Sequence, residues 1–233
     1  MKREIKTTLD GSKTLFINEL NETYHSHNGA LQEAEHVFIK NGLNKIENYE
    51  INILELGFGT GLNTLVTLNN FFCNNKNHSI NYFTIEKYPI SEEEISQLSY
   101  SSHFNFENSE EIYQKIHALT WNETHELLPN FKFTKFNCDF FNLENLDLPL
   151  INLVYYDCFG AQVQPDLWEK PLFEMVKNKM SVGGLLTTYS SKGSVRRILK
   201  ELNFEVTKLE GPKGKREMIN AILLNAESQK PEE

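Results

Sequence analysis

Between Ile53 and Leu65 the chain reads ILELGFGTGLNTL, an apolar run carrying Glu55, followed by Gly57, Gly59 and Gly61 at alternate positions. Three glycines so spaced cost roughly 0.5 to 1 kcal/mol each relative to alanine unless a close backbone approach uses them. A strand that turns through glycines into a helix presents backbone N–H groups and a positive helix end to a ligand. A dinucleotide fingerprint needs a third glycine where this sequence has Leu62, which weakens a nicotinamide reading. An acidic residue just before the turn would repel a pyrophosphate and suits a ligand with a cationic amino-acid portion. S-adenosylmethionine is such a ligand, and Glu55, Gly57, Gly59 and Gly61 are the candidate residues that hold it.

Three more acids fall at strand ends. Glu86 closes INYFTIE, where it could accept from ribose hydroxyls, and Asp139 closes FKFTKFNCD, where an adenine amino group or a helix cap would use it. Asp157 ends INLVYYD and should sit beside the glycine turn, where it could bind an amine and take its proton. Phe159, Pro165, Trp168 and Tyr189 are candidate walls around a planar group, or equally core.

These residues need a scaffold, and the pattern from Ile51 supplies one. Short β-rich runs alternate with helical stretches, the mark of parallel βαβ units. Strands are expected at 51–56, 80–86, 131–137, 151–156 and 184–190, with helices near 110–119, 169–180 and 192–203. Ser91 to Glu94 forms a capping box. FEVTKLE and EMINAILL are joined by GPKGKR, too short for a crossover, and form an antiparallel hairpin. The expected fold is therefore α/β, a Rossmann-like methyltransferase with a mostly parallel seven-stranded sheet and a C-terminal antiparallel hairpin. Residues 1–50 read as an N-terminal extension packing on the core, with a hairpin around Asp10-Gly11 and a helix through Leu31, Ala34, Val37, Phe38 and Leu43. Residues 51–225 form the methyltransferase domain and 226–233 a polar tail expected to be disordered.

Beyond the glycine turn, the stretches DGSKTLF, YHSHNGALQEAEHVFI, ELGFGTGLN, IEKYP, DCFGAQVQPDLW, SSKGSVRRIL and GKREMINAIL run from about residue 10 to 223. In combination they resemble the family of the methyltransferase domain of the bifunctional tRNA 5-methylaminomethyl-2-thiouridine biosynthesis protein, MnmC, and its stand-alone counterpart, MnmD. The family loop after the fourth strand commonly reads D-G/A-F-A-P; Cys158 and Gly160-Ala161 depart from it, while Asp157 and Phe159 are kept. The resemblance implies methyl transfer from S-adenosylmethionine to the exocyclic amine of 5-aminomethyl-(2-thio)uridine at the tRNA wobble position, with Asp157 catalytic. It also implies a chain that methylates only, without the FAD-dependent domain, and a link to the enzymes that make the aminomethyl intermediate.

The formal net charge is −9, which argues against indiscriminate coating of nucleic acid, so a tRNA site must be local. From Ser191 to Arg216 there are eight Lys/Arg against three Glu. Lys192, Arg196 and Lys200 share one helical stripe, and with Arg197, Lys215, Arg216 and the GPKGKR loop they could meet phosphates; an ordinary solvated face is the alternative. Phe159 joins them as a substrate-binding candidate. The same turn and acids would also serve methyl or aminopropyl transfer to a free small-molecule amine, whose charge the basic stripe would repel. A non-catalytic tRNA-binding or ligand-sensing domain is a third reading. Cys73, Cys138 and Cys158 are odd in number without CxxC spacing, which suits free thiols in a reducing cytoplasm. His25 and His27 lack further ligand-type neighbours, so no metal is expected, and no apolar run reaches the ~18 residues of a membrane span.

Overall fold

The computed structural model describes residues 2–73, 78–104 and 106–225, so the tail expected over 226–233 lies outside the described residues. The chain opens with β1 (Arg3–Thr7), β2 (Lys13–Ile17) and β3 (Glu22–Thr23), which form a small antiparallel sheet. The turn at Asp10-Gly11 joins β1 to β2, with Gly11 at φ 85°. Its Asp10 accepts from Ser12 N (3.1 Å) and, with the other carboxylate oxygen, from Gln32 N (3.0 Å) at the start of α1 (Ala30–Ala34). Burial pushes the Asp10 carboxyl up, but hydrogen bonds from the Ser12 and Thr8 hydroxyls, joined by those from Gln32 N and Ser12 N, outweigh it and hold the group down at about 2. One local turn thus closes a hairpin and caps the helix that carries Glu33. The helix expected through Leu43 is in fact composite. After α1 the chain loosens into a π-helical stretch, Glu35–Lys40, and then a 3-10 turn at Leu43–Lys45, while Val37, Phe38 and Leu43 remain buried.

The main sheet contains β4 (Glu50–Leu56), β5 (Ser79–Ile85), β6 (Thr124–Leu128), β7 (Phe131–Phe136), β8 (Ile151–Tyr156), β9 (Met180–Thr188), β10 (Phe204–Glu210) and β11 (Glu217–Leu223), in the order β10-β11-β9-β8-β4-β5-β7-β6. The five strands β4, β5, β7, β8 and β9 are parallel, and β10 and β11 form the expected antiparallel hairpin. The sheet has eight strands where the sequence predicts seven. The additional strand is β6, which folds back antiparallel on β7 through a tight turn with Asn130 at φ 64°. The helices are α2 (Leu62–Cys73), α3 (Glu92–Leu98), α4 (Ser109–Ala118), α5 (Lys170–Lys179) and α6 (Gly193–Glu201). The capping box of α3 is present: Glu94 N donates to Ser91 Oγ (3.2 Å) and Ser91 N to Glu94 Oε2 (2.7 Å).

Two apolar layers, one on each face, explain why the central strands are apolar on both sides. Ile53 and Tyr155 belong to one layer, Leu54 and Tyr156 to the other. β4 lies between β5 and β8, so the strand order reverses there. The chain leaves β4 toward α2 on one face and β8 toward α5 on the other, which opens the crevice where such sheets bind ligands.

Candidate active site

The glycine turn forms the floor of the crevice. Gly57, Gly59 and Gly61 have φ values of 102°, 50° and 75°, a region that side chains with a Cβ seldom enter. Gly57 has a second requirement: a Cβ there would stand 2.9 Å from the Asp157 carbonyl oxygen. The two strand ends can approach this closely only because Gly57 has no side chain. Gly57 N and Phe58 N donate to Ile85 O at 3.1 and 3.2 Å, which anchors the turn to β5. His25 Nε2 lies 3.4 Å from Thr60 Oγ1 while burial pushes its ring down to about 4, so the imidazole is neutral and supports the loop as a structural group.

Above this floor is a pocket of about 340 Å³ whose lining includes Gly57, Gly59, Asn63, Glu86, Asp139, Asp157 and Phe159. Glu86 Oε2 accepts from Gly59 N (3.0 Å) and Oε1 from Tyr88 N (2.7 Å), which fixes the carboxylate at the end of β5 and leaves lone pairs toward the pocket. Asp139 does what the capping alternative anticipates: its Oδ1 accepts from Phe141 N at 3.0 Å, and its Oδ2 pairs with Lys87 Nζ at 2.8 Å. Tyr88, Phe140 and Phe141 add flat surfaces nearby.

Asp157 stands opposite, at the end of β8. Its Oδ2 accepts from Asn63 Nδ2 at 2.8 Å. Burial pushes the carboxyl up to about 7; the Asn63 bond and Lys215 work against that rise, and the Glu33 charge adds to it. A carboxyl so placed changes protonation near neutrality, which suits a proton acceptor. Phe159 makes an edge contact with Tyr24, ring centroids 5.1 Å apart. Of the candidate walls, Pro165 lines the pocket, while Trp168 is buried and donates from Nε1 to the Phe159 carbonyl at 2.7 Å. Tyr189 donates to the Cys158 carbonyl at 2.7 Å, so Trp168 and Tyr189 act from beneath, as props for the loop that carries Asp157 and Phe159. Cys158 is buried, and its thiol is pushed far up by burial and by the neighbouring Asp157 and Glu86 charges, so it is a packing residue.

Two sequence candidates lie elsewhere than expected. Glu55 is fully buried and absent from the lining, because the alternation along β4 turns it under α2. Lys215 turns inward from the β10–β11 loop: its ammonium forms an ion pair with Glu33 and lies 3.7 Å from the centroid of Tyr189. Sequence reasoning missed Asn63 and Glu33, and neither has a local signal; Asn63 sits in the buried first half of α2 and Glu33 in the five-residue α1. Lys192 and Arg197 are exposed and Arg196 half-buried on α6, and Arg216 is exposed in the β10–β11 loop. α6 leaves the carboxyl end of β9, and β10 runs parallel to β9, so both basic segments share the sheet edge that bears the pocket. Among the described residues, no three His, Cys, Asp or Glu side chains converge to hold a metal, and no helix is long and apolar enough to cross a membrane.

Residues 109–224 match the family described as S-adenosyl-L-methionine-dependent methyltransferase. The structure superposes on that of MNMC2 from Aquifex aeolicus with a TM-score of 0.79 at 27% identity, covering 95% of this chain and 70% of that one. The chain belongs to the S-adenosylmethionine-dependent methyltransferases. This methyltransferase is also 30% identical over 210 residues to the tRNA 5-methylaminomethyl-2-thiouridine biosynthesis bifunctional protein MnmC of Leptospira interrogans, covering 86% of this chain and 32% of the relative. With the MnmC of Pseudoalteromonas atlantica it shares 28% identity over 239 residues, covering 94% of this chain and 33% of the relative. The chain thus spans about a third of the length of these curated relatives. The pocket fits the family's cofactor. Glu86, Asp139, Asp157 and Asp166 face it against a single lysine, Lys87, a balance suited to a cationic nucleoside and hostile to a pyrophosphate.

Proposed function

We propose that this methyltransferase acts in the cytoplasm on tRNA, methylating the exocyclic amine of 5-aminomethyl-(2-thio)uridine at the wobble position to give 5-methylaminomethyl-(2-thio)uridine. The observation that carries this reading is Asp157, a carboxyl pushed up to about 7 at the switch point of the sheet, bonded to Asn63 on one side and facing the pocket on the other. The likeness to the tRNA 5-methylaminomethyl-2-thiouridine biosynthesis proteins MnmC supports the choice of acceptor.

S-adenosylmethionine, when bound, supplies the electrophilic methyl group. The residues of the chain have a different task. An alkyl ammonium has no lone pair, and the comparable lysine amine has a reference pKa of ~10.4, so the site must take a proton from the acceptor before it can react. Asp157 Oδ accepts that proton, and its negative charge favours the cationic form on either side of the transfer. Glu86, with Gly57 and Gly59, binds the cofactor on the opposite side of the pocket, and Asp139 borders it. Phe159 and Tyr24 flank the acceptor, and the Trp168 and Tyr189 bonds to the loop carbonyls keep Asp157 in register. Lys192, Arg196, Arg197 and Arg216 contact phosphates along the same edge.

The test is transfer of labelled methyl to tRNA that carries the aminomethyl intermediate, with unmodified tRNA and free polyamines as parallel acceptors. Label confined to the wobble uridine of the intermediate-bearing tRNA is the expected outcome. Incorporation into polyamines alone would refute the reading and leave the basic edge without a role.

A further inference from the structure

Beneath the glycine turn lies a group of polar atoms that the proposed reaction does not touch. Both carboxylate oxygens of Glu55 are buried without a hydrogen-bond partner, and so are Asn63 Oδ1, Thr64 Oγ1, Tyr82 Oη and Thr84 Oγ1. They form one cluster. Glu55 and Thr84 are paired neighbours on β4 and β5, Tyr82 lies two residues back on the same face of β5, and Asn63 and Thr64 descend from the first turn of α2. Thr84, Asn63 and Tyr82 surround the Glu55 carboxyl closely enough to influence its proton, although none completes a hydrogen bond with it. An ionised carboxylate in such a place would carry a charge without a counter-ion, at a cost of several kcal/mol.

Asn63 connects this cluster to the pocket. Its amide nitrogen donates to Asp157 Oδ2, and its amide oxygen is buried without a partner and needs a donor. A Glu55 carboxyl that holds a proton supplies one. An ionised Glu55 supplies none and instead demands the amide NH₂; Asn63 would then turn over and present its oxygen to Asp157, which could meet it only by being protonated.

We propose that Glu55 is a positioning residue that keeps a proton in the interior and thereby fixes the Asn63 amide, so that Asp157 faces the pocket as an unprotonated acceptor. The proposal rests on the methyl-transfer reading above for its consequence, though not for its geometry. Burial pushes Glu55 up to about 8, with the Asp157 charge adding to the rise and the bonds offered by Thr84, Asn63 and Tyr82 opposing it. Other titratable groups face the pair. Tyr82 and Tyr155 adjoin Glu55, and both phenols are pushed up and neutral. Glu33 of α1, Lys215 of the β10–β11 loop, Cys158 and Tyr189 adjoin Asp157. Lys215 is the one cation among these, and it pairs with Glu33.

Two variants and one spectroscopic measurement test this. In the wild-type protein the infrared carboxylic-acid absorption at neutral pH should contain, beside the share that Asp157 contributes, a component that Glu55→Gln removes. The pH dependence of methyl transfer to aminomethyl tRNA should fall away above about pH 8 in the wild type as Glu55 ionises. Glu55→Gln, whose amide still donates to Asn63, should lose that alkaline decline while keeping neutral turnover within about threefold. Glu55→Leu, which cannot donate, should lower kcat by about tenfold or more with KM for S-adenosylmethionine unchanged, its folding checked by cofactor affinity. An acid absorption that Glu55→Gln leaves unchanged, or a raised cofactor KM in that variant, would overturn the proposal and make Glu55 an anionic partner of the cofactor. Wild-type protein inactive on aminomethyl tRNA would refute the functional reading, and the infrared band would still decide whether Glu55 holds its proton.

Discussion

Replacing Asp157 by Asn should slow methyl transfer severely and at the same time stabilise the fold at alkaline pH. In the unfolded chain this carboxyl has a pKa near 3.8, and in the folded protein burial pushes it up to about 7. Between those values the unfolded chain ionises while the folded one keeps its proton, so stability falls as pH rises through the window, by ~1.4 kcal/mol per unit. The full window is worth ~4 kcal/mol; Asp157 retains partial contact with water through the pocket, which brings the figure to roughly 2 to 3 kcal/mol. Asp157→Asn has no such penalty and can still accept the 2.8 Å bond from Asn63. Urea denaturation at pH 8 should therefore show the variant more stable by roughly 2 to 3 kcal/mol, with less than half that gain remaining at pH 5. Methyl transfer should drop by ~10²-fold or more, the usual range for loss of a proton acceptor. In the wild type, kcat/KM should fall tenfold per unit below about pH 7. A stability difference that does not change with pH would refute the raised carboxyl, and retained turnover would refute its role as acceptor.

Other substitutions separate the remaining parts of the site. Because Lys215 draws the Asp157 carboxyl down and Glu33 draws it up, Lys215→Met should move the acid limb of kcat/KM to higher pH and Glu33→Gln to lower pH; shifts in the same direction would show that neither charge reaches Asp157. Gly57→Ala would force a Cβ to 2.9 Å from the Asp157 carbonyl at φ 102°, so a loss of roughly 2 kcal/mol or more in urea is expected, along with weakened cofactor binding, and a fully stable variant would contradict the close approach of β4 and β8. Lys192→Ala with Arg196→Ala should weaken tRNA binding and reduce the slope of log Kd against log salt by about 1 to 2, and an unchanged slope would remove α6 from the interface.

The parts of this molecule that the sequence makes legible are those in which chemistry and local conformation coincide. Alternate glycines state both a backbone shape and a close approach, and an acid at the end of a β-rich run falls on the ligand edge of a parallel sheet whatever its neighbours, so Glu86, Asp139 and Asp157 could be placed in advance. β6 was not legible because Thr124–Leu128 alternates weakly and gains its identity only by pairing with β7. Glu55 misled for a physical reason. Its place before the glycines suggests a ligand contact, but the pleat sends it to the inner face, and only the tertiary cover of α2 determines whether that carboxyl is charged. The basic segment shows the same limit from the other side. Eight cations can be counted from Ser191 to Arg216, yet Lys208 pairs with Glu217 at 2.9 Å and Lys215 with Glu33, a residue 182 positions away. Pairing of that kind is set by how the β10–β11 loop meets α1, which no local pattern encodes. Lys192, Arg197, Lys200, Lys213 and Arg216 are exposed and, among the described residues, form no ion pair, so the surface left for phosphates is narrower than the composition implies. Lys215, inside that surface, acts on the charge of Asp157, which couples the edge that would bind tRNA to the carboxyl that would take the proton.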